Sequence, residues 1–224
     1  SYSRITCFDD CPYKWFLKYI YGAESKPLFF AQYGSFVHKI LELYYKRLLP
    51  PEKAAAYFIN NFDFAVTEPA PTKAIRVSYL SSGVKYFSSL PPVPGDVCCV
   101  EEKLNFKIGK FDFVGFADLI RNGDMLSVTD HKSRALTPRS NKTKALKRDA
   151  ELDRYLRQLY IYSKPIYEKF GKFPDILRFN CFRTGTIIEE PFLENQYKEA
   201  LSWAENSVCK IINNDDWSPR PNMW

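Results

Sequence analysis

The chain has 224 residues, 46% hydrophobic and 17% aromatic, and its 32 Lys and Arg outnumber its 26 Asp and Glu by six. That length and apolar content support one domain with a sizeable core and exclude a wholly disordered chain. No run of eighteen uninterrupted apolar residues occurs, and the first residues lack the apolar core of a secretory signal, so the expected setting is cytoplasmic.

Six cysteines, at 7, 11, 98, 99, 181 and 209, are too sparse for a disulfide scaffold and form no C-x-x-C pair. Buried, inert thiols are the default reading.

In chain order, Ser3 is a candidate cap for a helix reaching about Ile20, and "KPLFFAQYGS" breaks it. A second helix is expected over about 31–48, with Phe36, Val37, Ile40, Leu41 and Tyr44 at helical spacing. Pro51 suits the first turn of a third. Helical readings follow for about 52–66 and 73–89, and "LPPVPGD" closes this mainly helical part, residues 1–92. From Val97 the period changes to two. Val100, Leu104, Phe106 and Ile108 fall on one side of a strand, Glu101, Lys103, Asn105 and Lys107 on the other. "KFDFVGFADLI" follows a tight turn. "NGD" at 122–124 is a hairpin signal, and "MLSVTDHK" is the returning strand. Three antiparallel strands are therefore expected between about 97 and 132. A helix over about 149–170, two further strands up to about residue 190 and a last helix over 193–213 complete an α/β chain. The expected architecture is a central mixed β-sheet flanked by helices, preceded by a helical N-terminal part, in a single domain over 1–224.

The stretch "SVTDHKSR" carries the chemistry. On a strand, Leu126, Val128, Asp130 and Lys132 share a face, as do Val114, Phe116, Asp118 and Ile120 on the strand before it. If both apolar sets meet one core, Asp118, Asp130 and Lys132 converge at its margin. Isolated charges are costly there and need a partner, either one another or a cation. Two carboxylates and a lysine suit Mg²⁺ or Mn²⁺ and phosphoryl chemistry. An ordinary ion pair beside a hairpin is the bland alternative. His38 lies one helical turn after Gly34, and Gln158 and Tyr162 lie one turn apart on another helix.

Between Lys132 and Arg148 the chain holds seven basic residues and no acid, more than its whole net charge. Arg134, Arg139, Lys142, Lys144, Lys147 and Arg148 are thus candidate phosphate contacts, against the alternative of a solvated loop. The aromatics of the first helix (Tyr2, Phe8, Tyr13, Trp15, Phe16) read as core rather than as a base-stacking platform.

Taken in order, these pieces resemble the PD-(D/E)XK nuclease superfamily, in the branch of RecB-like exonucleases and CRISPR adaptation nucleases. "SYSRITCFDDCPYKWFLKYI" is similar to that branch's opening helix and "GSFVHKILE" to its histidine motif. "VGFADLI" resembles the strand bearing its first acid, "SVTDHKS" its second acid and lysine, and "QLYIY" its Q-x-x-x-Y motif. The resemblance implies a restriction-endonuclease-like sheet and a metal held by His38, Asp118, Asp130 and the backbone carbonyl of His131. It implies a catalytic Lys132, with Gln158 and Tyr162 lining the site. A further Glu on the strand before the first acid is implied too. Glu101 and Glu102 both fit, and alternation does not choose between them. Cys11 matches the first cysteine of the iron–sulfur cluster that many members of the branch carry. The matching C-terminal cysteines are absent, so no cluster is expected within these residues. The implied activity is metal-dependent DNA exonuclease action on single strands or duplex ends. The implied setting is recombination, repair or phage DNA processing in a bacterial or phage-infected cell, beside a helicase or single-strand annealing partner. The alternatives are a non-catalytic nucleic-acid-binding module of the same fold and a CRISPR spacer-processing nuclease.

Overall fold

The computed structural model describes residues 1–140 and 147–219, with the backbone alone at Lys147. Its helical part comprises α1 (Tyr2–Asp10), α2 (Pro12–Tyr19), α3 (Phe29–Tyr45), α4 (Pro51–Ala65) and α5 (Lys73–Ser88). The single opening helix expected from sequence is two. Pro12 has no N–H to continue the ladder and disfavours a helical Cys11, which is extended at φ −161°. Cys11 then caps α2, its Sγ accepting the Lys14 N–H at 3.5 Å, and Ser1 rather than Ser3 precedes α1. Pro51 does open α4. No described helix is long and apolar enough to cross a membrane.

The sheet comprises β1 (Val97–Ile108), β2 (Phe111–Asn122), β3 (Leu126–His131), β4 (Ile176–Cys181) and β5 (Thr186–Pro191), in the order β1-β2-β3-β4-β5. The first three strands are antiparallel neighbours, as the alternation and the Asn-Gly turn predict. β3 and β4 are parallel, so their connection must cross over, and α6 (Lys147–Phe170) makes it. β5 returns antiparallel to β4, and α7 (Glu194–Ile212) follows.

Two apolar clusters form. In one, Leu104, Phe106 and Ile108 of β1, Phe113 and Ile120 of β2, and Leu126 and Val128 of β3 meet Leu156, Leu159 and Ile166 of α6 and Ala200 and Ala204 of α7. In the other, Tyr33, Val37, Ile40 and Leu41 of α3 pack with Phe58 and Phe62 of α4 and Phe87 of α5. α4 and α5 approach so closely at Gly83 that a Cβ there would overlap the Phe58 ring.

One expectation for the sheet fails. Val114 and Phe116 do not share a buried face with Ile120; both are exposed, and Phe113 and Ala117 point inward instead. The inward set is odd-numbered up to Ala117 and even-numbered from Ile120. β1 shifts phase in the same region, from buried Cys99 to buried Leu104. The pairing of β1 with β2 steps from Val100 opposite Leu119 to Glu102 opposite Ala117, leaving out Glu101 and Asp118. Glu101 stands at φ +52°, a left-handed conformation that a residue with a Cβ adopts at a cost of about 1–2 kcal/mol. The candidate site lies at this unpaired position, a few residues past the register shift between Val97 and Cys99.

Candidate active site

Asp118 sits where β2 changes phase, and its Oδ2 accepts the His131 N–H at 2.6 Å. His38 arrives from α3, whose buried stripe of Val37, Ile40 and Leu41 fixes the helix against its neighbours. Its Nε2 donates to the His131 carbonyl at 2.9 Å. Its Nδ1 lies 3.7 Å from both Asp118 Oδ2 and Glu101 Oε1. Among the described residues, His38, Glu101 and Asp118 form the one group of three or more potential metal donors, all within 4.8 Å of one another. The left-handed Glu101 backbone thus accompanies a carboxylate beside His38, while Glu102 turns to Lys169 of α6 at 2.5 Å. Sequence left the choice between the two glutamates open, and the structure brings Glu101 to the group.

The electrostatics are those of a site short of positive charge. Burial, and then the nearby Asp130, push the Asp118 carboxyl up to about 7, against the opposing pull of His38 and the His131 N–H. Burial would lower His38, but Glu101, Asp118 and Asp130 outweigh it and raise the imidazole to about 9. A crowded set of carboxylates that holds protons near neutral pH is one that a divalent cation relieves. Two carboxylates and an imidazole, with no thiolate, are hard and borderline donors, so this group fits Mg²⁺ or Mn²⁺ better than a soft metal.

Asp130 lies outside this group of three. Its Oδ2 sits 2.7 Å from Lys132 Nζ, an ion pair lacking the alignment of a hydrogen bond. Lys132 is anchored through its backbone, its N–H donating to the Asn180 carbonyl at 2.8 Å, and its ammonium lies 5.2 Å from the Tyr155 ring centre. Burial works to lower its pKa, but Asp130 and then Asp118 prevail and raise it, so the lysine stays cationic. The His131 carbonyl accepts from His38. Its imidazole is wholly buried, stacked on Tyr45 at 5.7 Å and bonded to Asn180 at 3.0 Å. Burial, then His38 and Lys132, lower that imidazole to about 3, so it is neutral.

Gln158 and Tyr162 do share a face of α6, Gln158 Nε2 donating to Tyr162 Oη at 3.2 Å. Tyr162 lies across β2 at Gly115, where a Cβ would overlap its ring. Gly115 was not singled out from sequence, although a glycine inside a strand is a recognised sign of close approach. Tyr155 and Asn180 were missed as well. Tyr155 stands three residues before Gln158 on the same helix, a spacing that could have found it. Asn180 lies on β4, remote in sequence, and no local pattern marks it.

The basic residues fare differently. Arg134 donates to Tyr155 Oη at 2.5 Å and to Glu151 at 2.8 Å, and Arg139 meets Asp153 at 2.7 Å and Glu190 at 3.0 Å. Arg148 is exposed near the start of α6. Lys142, Lys144 and the Lys147 side chain lie outside the described residues. Cys11 is the cap of α2, and among the described residues no cysteine joins a group of metal donors. Between α3 and the end of β3 an open cleft of about 550 Å³ is lined by His38, Lys39, Glu101, Lys132 and Arg134.

A buried lysine–carboxylate pair thus lies beside a histidine–carboxylate group whose donors suit a divalent cation. The family model of the PD-(D/E)XK nuclease superfamily matches residues 1–222, and the chain belongs to that superfamily. Among solved structures similar to it is the crystal structure of a "Putative exonuclease" from Eubacterium rectale. The two are 12% identical with a TM-score of 0.56, over 93% of this chain and 79% of that one, a likeness of fold. No curated protein matches the chain.

Proposed function

We propose that the chain is a metal-dependent DNA exonuclease that hydrolyses phosphodiester bonds from single strands or duplex ends, in DNA recombination, repair or phage DNA processing. The observation that carries this reading is the meeting of His38, Glu101 and Asp118 beside a lysine that is buried yet kept charged. In the metal-loaded enzyme, Mg²⁺ or Mn²⁺ supplies Lewis acidity and an acidified water. His38, Glu101 and Asp118 hold the cation, and Asp130 adds its negative charge to the same place. Lys132, fixed by Asp130, Tyr155 and the Asn180 carbonyl, faces the negative charge that builds up on the phosphoryl oxygens. Asp130 and Asp118 favour its charged form, so it contributes positive charge there. Tyr162 and Gln158 wall the site from the α6 side, and the basic segment ending in Lys142, Lys144, Lys147 and Arg148 supplies phosphate contacts.

The test is digestion of end-labelled single- and double-stranded DNA with Mg²⁺, Mn²⁺ or a chelator. Shortening from the ends with either metal, abolished by chelation, is the expected result. Binding without degradation of any DNA form would instead establish the non-catalytic module.

A further inference from the structure

Past the candidate centre, β1 and β2 continue as a two-stranded ribbon, because β3 pairs only with Leu119–Asn122. One face of this ribbon is packed: Leu104, Phe106, Ile108 and Phe113 are buried, and the Phe106 and Phe113 rings stack at 5.7 Å. The other face carries Lys103, Asn105 and Lys107 from β1 and Asp112, Val114 and Phe116 from β2, all exposed. They stand in register, Lys103 opposite Phe116, Asn105 opposite Val114, Lys107 opposite Asp112. Phe116 is 52% exposed and, with exposed Val114 two residues before it, gives this face an apolar spot beside its lysines.

The row begins at the centre. Glu102 turns to Lys169 of α6, whereas Glu101 meets His38 of α3, and the regular alternation from Glu102 onward puts Lys103 on the face away from α6. Glu101 is one of the three metal donors, and Lys103 with its partner Phe116 comes next along the ribbon. Among the described residues Lys103 makes no ion pair, and the Lys107–Asp112 contact is a loose 3.4 Å between exposed groups. An aromatic flanked by lysines is the pairing that holds single-stranded nucleic acid: the ring stacks on a base of any identity and the ammonium groups meet phosphates. From Glu101 to Lys107 the face extends about 20 Å, enough for several nucleotides.

We propose that this outer face of the β1–β2 ribbon is the track for a single-stranded stretch of substrate leading to or from the centre, with Phe116 stacking on a base and Lys103 beside the backbone. The proposal rests on the nuclease reading above and adds where the strand runs.

It is tested with the full chain and fluorescein-labelled oligothymidylates of two, four and eight residues in Ca²⁺, read by anisotropy. Phe116→Ala should weaken binding of the eight-residue strand about tenfold or more while leaving the dinucleotide unchanged, and Phe116→Tyr should restore it. Lys103→Gln should reduce the salt dependence of binding to the longer strand. Equal affinities of wild type and Phe116→Ala for the eight-residue strand would overturn the proposal. So would an equal loss at every length, or a change in oligomeric state showing that the face pairs with a second copy. Hydrolysis of bis(p-nitrophenyl) phosphate with Mn²⁺ provides the separate check, since that diester is too small to reach Phe116. Turnover kept in Phe116→Ala supports the track. No turnover in the wild type removes the nuclease reading on which the proposal rests.

Discussion

Two groups of charged residues lie close together in this protein and resolve their charge in opposite ways. Arg134 and Arg139 meet Glu151, Asp153 and Glu190 and are neutralised within the fold. Around Asp118, three carboxylates, Glu101, Asp118 and Asp130, face one lysine and one imidazole, and two of these groups take up protons as a result. Along the amino-acid sequence the arginines read as available and the acids with Lys132 as an ordinary ion pair. In space the acids that neutralise the arginines come from α6 and β5, and the deficit of positive charge lies at the sheet. Unspent charge is what a ligand can use, which supports the proposal that chemistry takes place at the sheet end.

Altering the group short of positive charge should have the largest effect. Asp118→Asn or Lys132→Ala should lower Mn²⁺-dependent cleavage by about two orders of magnitude or more in single-turnover digestion, with DNA binding largely kept in the lysine variant. A smaller effect is expected from the packing that supports it. Gly115→Ala forces a methyl group into the Tyr162 ring and should cost about 1–3 kcal/mol in urea melts together with a loss of cleavage. Gly83→Ala, which meets Phe58 in the helical cluster, should cost a similar amount with cleavage per folded molecule unchanged. On the neutralised side, Arg139→Ala should shift stability by no more than about 1 kcal/mol and barely alter the salt slope of DNA binding. Joint neutralisation of Lys142, Lys144, Lys147 and Arg148 should flatten that slope.

The smallest effect concerns Asp96, whose carboxyl is held below its ordinary value chiefly by the Arg121 hydrogen bond at 2.8 Å. A depressed carboxylate contributes stability that is fully present above the unfolded value of 3.8 and is lost as pH falls on through the lower folded value. Asp96→Asn should therefore be slightly less stable than wild type at pH 7, with the difference shrinking as pH falls below 3.8.

Much of this was legible in the residues. Period-two alternation and an Asn-Gly turn define the antiparallel strands, and spacing of one helical turn joins Gln158 to Tyr162. What was not legible has a common cause. Strict alternation places Val114 and Phe116 inward and separates Glu101 from the apolar side without saying what it meets. The left-handed backbone at Glu101 breaks that alternation, and no sequence period encodes a break in itself. The split at Cys11 was readable from Pro12, whose missing N–H outweighs the helical spacing around it. The acids that neutralise Arg134 and Arg139 lie 14 to 51 residues away, beyond the reach of any local pattern.

The left-handed turn of Glu101 bears on how such a protein can be engineered. Glycine would occupy that backbone conformation without the steric cost of a Cβ, so a library screened only for heat tolerance should drift toward Glu101→Gly. The survivors would be sturdier and missing a carboxylate at the centre. Selecting for robustness here therefore needs a cleavage readout at every round, because a position that favours glycine also carries one of the three potential metal donors.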